Sequence, residues 1–276
     1  MLDLIFRYEF MQNALFAGVI IGLICPVIGV FLVVRRLSLM ADALSHITLS
    51  GIAAGLLIQK NVPSLQWINP MYMGMVFSVV GSLLVEQLRK AYRFYQELAI
   101  PIILSSGIGL GVVLISMANG FNVDLFSYLF GSVVAVNRTD LWTIIGVGTI
   151  VLITTVLLYK ELFALSFDEE YARISGIKRK FVNFTFTILV ALTIAISMRI
   201  VGILLVSSLI TLPVAAALQL ANSFKQTIWL SIFFAELSVL GGLTLAFYLN
   251  WASGGTIVLF SVLVLVIVLA FKKRNE

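Results

Sequence analysis

Histidine and cysteine are almost missing from these 276 residues, with one of each, His46 and Cys25. A single histidine rules out the H-E-x-x-H zinc site of intramembrane proteases. A single cysteine rules out an internal disulfide. No G-x-x-x-x-G-K-[ST] occurs, so ATP is not bound through a P-loop. No G-x-S-x-G turn or matched serine site accompanies His46, so catalysis is not expected. Charge is scarce as well. Only 11% of residues are charged and 61% are hydrophobic, against about 25% and 45–50% in a soluble domain. That leaves no room for a soluble domain of any size.

What is present instead is a series of apolar runs from Asn13 to Phe271. A bilayer-crossing helix needs about 20 such residues. The runs predict spans at 13–34, 37–58, 70–88, 98–118, 141–159, 181–200, 203–221, 227–248 and 254–271. The stretch "VDLFSYLFGSVVAV" (123–136) is apolar but too short to cross, and reads as a re-entrant or interfacial helix. The expected fold is all-α and polytopic, one transmembrane domain over 1–276 with nine spans. Eight is the nearest alternative, because 181–200 and 203–221 are tightly joined. The N-terminus "MLDLIFRYEF" has no basic stretch followed by a cleavage site, so no removable signal peptide is expected.

Basic residues supply the orientation. Placing 35–36, 88–97, 160–180, 222–226 and the C-terminus in the cytoplasm puts 14 of the 18 Lys and Arg there, Arg93 included, and leaves only Arg7, Lys60, Arg138 and Arg199 elsewhere. Topology therefore accounts for the net charge of +5, and nucleic acid is not an expected partner. One cytoplasmic connection is long and charged, "KELFALSFDEEYARISGIKRK" (160–180). It reads as a short helix, with Asp168, Glu169 and Glu170 in its first turn, facing the positive end of the helix dipole. Gly176 supplies its stop.

The polar residues inside the spans are the candidates for function. In "LSLMADALSHITLSGIAAGLL", Asp42 and His46 are four residues apart and share one helix face. At ~1.5 Å per residue from Leu37, Asp42 lies about 8 Å into the span and His46 about 14 Å. An ionised group at mid-bilayer costs at least ~2.5–3.5 kcal/mol, so something must offset it. Three readings stand: a self-satisfying pair that pins two helices, a proton relay, and a divalent-cation site, since imidazole nitrogen with carboxylate oxygen suits zinc, manganese or iron. Two side chains do not complete a zinc shell; a two-fold dimer would supply two Asp and two His, and water is the other source. Cys25 beside Pro26 is a further candidate ligand, although buried free cysteine usually behaves as a small apolar residue. Glu236 in "FFAELSVLGG" needs a partner or a wet cavity, Arg199 in "SMRIVGILLV" pairs or snorkels, and Pro213 kinks its span. The glycine runs "SGIGLG" (106–111) and "GVG" (146–148) lack a lysine and read as packing surface.

"RRLSLMADALSHITLSGIAAG" resembles the second-helix signature of the metal-ion permeases of bacterial ABC importers. "SFDEEYARISGI" is similar to that family's cytoplasmic coupling segment, and "SMRIVGILLVSSLITLPVAAALQLANS" to its late-helix stretch. The resemblance spans nearly the whole chain. It implies a type II importer fold, related to the vitamin B12 and siderophore importers, in a bacterial cell membrane with the C-terminus cytoplasmic. It implies as partners a second copy of the permease, two cytoplasmic ATP-binding subunits, an extracellular metal-binding lipoprotein and the surrounding lipid. Asp42 and His46 match the family's metal-pathway pair. Asp168, Glu169, Glu170, Ala172, Arg173 and Gly176 fall in the segment that docks on the ATPase. "LSFDEEYARISGI" and "GFNVDLFSYLFGSVVAV" look most like the zinc branch of Gram-positive bacteria, which makes Zn²⁺ the expected cargo, with Mn²⁺ or iron as alternatives and no permanently bound cofactor. Two rivals remain: an ATP-independent channel or proton-coupled carrier using Asp42, His46 and Glu236, and a non-transporting scaffold.

Overall fold

The structure is a computed structural model that describes residues 9–65, 67–92, 94–118, 123–132 and 135–275. Arg7 and Arg93, used above for orientation, lie outside the described residues, as do 120–122 and 133–134 of the quoted stretches. The side chains of Lys273 and Arg274 are also not described.

Among the described residues, nine helices are long and apolar enough to cross a membrane. They are α1 (Glu9–Val34), α2 (Leu39–Asn61), α3 (Pro70–Ala91), α4 (Ala99–Met117), α6 (Arg138–Leu157), α9 (Arg179–Val201), α10 (Ile203–Leu220), α11 (Phe224–Leu249) and α12 (Ser253–Asn275). Among the described residues there are also three shorter α-helices, α5 (Val123–Phe130), α7 (Tyr159–Phe167) and α8 (Glu169–Ile174), and two single 3-10 turns, Pro63–Leu65 and Gln96–Leu98. The spans begin and end within a few residues of the expected limits. The 123–136 stretch supplies only the eight-residue α5, too short to cross, and stops at Gly131 with φ +75°. α9 and α10 are separate helices divided by one residue, Gly202, with φ +84°. A side chain there would press on Leu129 O at 2.5 Å, so glycine alone allows both the turn and the approach of α5.

α1 and α9 are the most buried spans and form the centre of the bundle, while α12, as apolar as α1, is half as buried, so position in the bundle rather than composition sets burial. α6, α10 and α11 pack around them, and α12 closes against α10 and α11. α2 is wedged between α3 and α4. Its small residues make that possible: a Cβ on Gly51 would lie 2.6 Å from Met73 O, and one on Gly55 2.9 Å from Pro70 Cα. From α4, Gly107 meets Ile47 N, where a Cβ would stand at 2.9 Å, and its carbonyl accepts from Ser50 Oγ at 2.7 Å. The "SGIGLG" run is packing surface, as its lack of a lysine suggests.

The 160–180 connection is not the single helix expected. It is two, and Asp168 stands between them in extended geometry (φ −150°, ψ +101°) as the cap of α8 rather than in its first turn. Its Oδ1 accepts from Glu170 N and Tyr171 N, both at 2.9 Å. A short acidic side chain just before a helix reaches back to these otherwise unpaired amides. Gly176 does end α8: at φ +80°, it lets Ile177 N reach Ala172 O at 3.0 Å and its own N reach Arg173 O at 3.2 Å.

Candidate functional site

Asp42 lies one turn into α2 and His46 one turn further, both half-buried. Among the described residues, neither side chain takes a hydrogen bond or ion pair from the chain. The small Ala41, Ala43 and Ser45 beside them are buried. Asp42 opens into a cavity of about 530 Å³ between α2 and α10. Its polar lining is Asp42, Ser38, Ser207, Ser208, Thr211 and Gln219. Thr211 Oγ1 donates to Ser207 O at 2.9 Å, so its oxygen lone pairs remain available. The cavity follows α10 from Ser207 to Gln219, about 18 Å at ~1.5 Å per residue. Ionisable groups within spans almost always face a bundle interior or a water-filled cavity rather than lipid. The α10 hydroxyls were not singled out in the sequence, although Ser207 and Thr211 at i and i+4 in an apolar run were a readable signal.

The other polar residues sit elsewhere. Cys25 is fully buried, with Sγ 3.2 Å from Ser197 Oγ at the α1–α9 contact. Glu236 is half-buried on α11 against Gly22 of α1, where a Cβ would come within 3.0 Å of its Oε1. Neither lines the Asp42 cavity. Pro213 lies inside α10 without ending it. No three His, Cys, Asp or Glu among the described residues gather as a metal-binding group.

Arg199 pairs rather than snorkels. Its Nε is 3.1 Å from Oδ2 of Asp140, a carboxylate with no exposed surface. Asp140 also accepts from Asn69 Nδ2 at 2.9 Å and from Asn137 N at 3.3 Å. The Arg199 guanidinium lies over the Tyr128 ring, 4.4 Å from its centroid. One buried ion pair thus joins the starts of α3 and α6, the end of α9 and the short α5.

At the opposite end, α7 and α8 present a mixed surface. Phe167, Tyr171 and Ile174 are exposed beside Glu169, Glu170 and Arg173, while Ala172 is buried and anchors α8 to the core. Glu169 pairs with Arg179 at 2.6 Å. Rings fix α7 to the bundle: Phe163 lies 5.0 Å from Phe224, and Phe31 6.3 Å from Tyr159.

Nine apolar spans among the described residues define a multi-pass membrane protein. The model of the ABC 3 transport family matches residues 7–272, and the chain belongs to that family. A membrane protein of Treponema pallidum (strain Nichols) is 38% identical over 264 residues, covering 96% of each chain. The high-affinity zinc uptake system membrane protein ZnuB of Haemophilus influenzae is 33% identical, covering 97% of this chain and 99% of its own. The manganese transport system membrane protein MntC of Halalkalibacterium halodurans is also 33% identical, over 93% and 85%. The structure of PsaBC from Streptococcus pneumoniae in complex with Fab superposes with a TM-score of 0.84 at 30% identity, covering 97% of this chain and 93% of that one. The protein is therefore a permease subunit of a metal-ion ABC importer and not an enzyme; ATP hydrolysis belongs to a separate subunit. The family implies an ATPase and a substrate-binding protein as partners.

Proposed function

We propose that this chain carries Zn²⁺ across the bacterial plasma membrane along a path that includes Asp42 and His46. The observation that supports this most is the pair itself: two ionisable side chains on one face of a span, unpaired among the described residues, with Asp42 opening on a hydroxyl-lined groove. An incomplete ligand set suits a carrier, because a site that must release its ion holds it with few groups. Two copies facing each other would double the set to two Asp and two His, and water would complete it. In this reading the Arg35 end and the C-terminus face the cytoplasm. A metal-binding lipoprotein delivers the ion outside, and two ATP-binding subunits dock on the 160–180 segment. Their closure moves that segment, and the groove beside Asp42 opens and closes by alternating access.

Manganese is the second reading, and one observation favours it: apart from Asp42, the polar groups lining the groove are hydroxyls and an amide, ligands that suit harder cations. Relatives named for zinc and for manganese are equally identical to this chain. Zinc rests on the likeness of the 165–177 and 120–136 stretches to the zinc branch and on the imidazole of His46. The test is cellular zinc and manganese by mass spectrometry in metal-limited bacteria, comparing intact, deleted and His46→Ala strains at matched permease abundance. Zinc falling alone, equally in both mutants, supports the reading; manganese falling instead replaces the cargo. Normal uptake by His46→Ala overturns the pathway.

A further inference from the structure

We propose that Arg35 is the positioning residue through which movement of the 160–180 segment reaches the helix carrying Asp42 and His46. The inference rests on the permease reading above and adds a route within it. Among the described residues, α2 packs on neither α7 nor α8. The two are separated by a cavity of about 220 Å³, lined on one side by Leu37 and Met40 and on the other by Ser166 and Glu169. Arg35 spans that gap from the corner between α1 and α2. Its Nε donates to Ser166 Oγ at 3.1 Å and its Nη2 to Leu162 O at 3.3 Å, both on α7. Its Nη1 donates to Asn183 Oδ1 on α9 at 3.0 Å. The guanidinium also lies 4.8 Å from the centroid of Phe186.

The corner that holds Arg35 has little slack. Four residues connect α1 to α2. Leu37 N bonds to Leu32 O at 2.8 Å and Arg36 N to Val33 O at 3.0 Å, with Arg36 at φ +57°. A pull on the guanidinium therefore reaches Leu39, the first residue of α2, through a short hydrogen-bonded turn. Among the described residues, α7 also meets α1 and α11 through ring contacts and through buried Leu162 and Leu165, and apolar burial is non-directional. A planar guanidinium fork does fix direction, and lysine does not reproduce it. Burial, opposed by Glu169 and assisted by Arg89, pulls the Arg35 guanidinium down to about 10, so it stays charged at neutral pH.

The experiment uses the assembled transporter in proteoliposomes, with its ATPase subunits and binding protein, and follows Zn²⁺ and Mn²⁺ uptake and ATP hydrolysis in the same vesicles. Arg35→Gln is expected to hydrolyse ATP much as the unaltered complex does. Its metal transported per ATP falls about tenfold, within the roughly 5–150-fold span of coupling between distant sites. Arg35→Lys keeps the charge and is expected not to rescue the ratio. If Arg35→Gln does not assemble, Asn183→Ala, which removes a single acceptor, decides: a lowered ratio supports the route and an unaltered one overturns it. An unaltered ratio in assembled Arg35→Gln overturns it directly. Absence of ATP-driven Zn²⁺ and Mn²⁺ uptake by the unaltered complex is a different result, and overturns the proposed cargo instead.

Discussion

Removing Asp140 leaves the Arg199 guanidinium, 12% exposed, inside a span without its counter-charge. Breaking a buried ion pair by deleting one partner costs about 3–5 kcal/mol, because the survivor stays desolvated and unpaired. Asp140→Leu also strands Asn69 Nδ2 and Asn137 N, which adds about 1–3 kcal/mol for each such group that stays dry. Arg199→Met leaves the carboxylate, but Asn69 and Asn137 still donate to it, so its cost belongs at the lower end of the range. At roughly 2–4 °C per kcal/mol for a large domain, Asp140→Leu lowers the melting temperature by roughly 10 °C or more. Replacing a whole buried pair by apolar groups of similar volume is often neutral, so the double variant is expected to recover most of the Arg199 share of the loss. The assay is thermal unfolding of the purified permease in detergent, followed by fluorescence of its four tryptophans. Uptake by the double variant is the second readout. Additive losses, with the double variant less stable than either single one, refute the pairing. A stable double variant that fails to transport gives the pair a role beyond holding helices together.

Two further outcomes follow from local geometry. Asp168→Ala deletes the acceptor of two α8 amides, at about 0.5–2 kcal/mol. Hydrogen exchange over 169–174 is expected to quicken while the transmembrane helices stay protected; unchanged exchange there removes the cap from the account. A Cβ on Gly254 would run into the carbonyl oxygen of Val201, whereas one on Gly255 meets nothing within 4 Å. Gly254→Ala is therefore expected to fail to accumulate in the membrane and Gly255→Ala to accumulate normally, and equal abundance of the two contradicts the packing at the Arg199 end.

Much of the fold is legible because the bilayer imposes a length. Each crossing must be an apolar run of about 20 residues, and no tertiary information is needed to find one. The ends drift because interfacial residues belong to neither medium: Glu9 and Arg138 start helices that hydropathy alone would begin later. The break at Asp168 was half visible. An acid at a helix start serves either the dipole or the cap, and a run of Asp-Glu-Glu does not say which residue turns the chain. The shorter aspartate does so, since its carboxylate reaches the amides two and three residues on. The partner of Arg199 was not legible. Asp140 belongs to another span, and only the folded bundle puts them 3.1 Å apart. Nor does sequence spacing tell that Asp42 looks across at α10, because that depends on how α2 is wedged between α3 and α4.

These placements divide the intramembrane polar groups by how their desolvation is met. Asp140 meets it through Arg199, Asn69 and Asn137, and Arg199 through the Asp140 charge, so the pair holds helices together. Among the described residues, Asp42 and His46 receive no such support. An ionised group at mid-bilayer costs at least ~2.5–3.5 kcal/mol, a cost that water, an ion or another subunit offsets where it supplies the missing interaction. The groove beside Asp42 gives water or an ion access. Glu236 lies between these cases, half-buried against Gly22 and away from that groove. In this bundle the paired charges mark the scaffold, and under the proposed function the pair left incomplete is where a passing cation would finish the coordination.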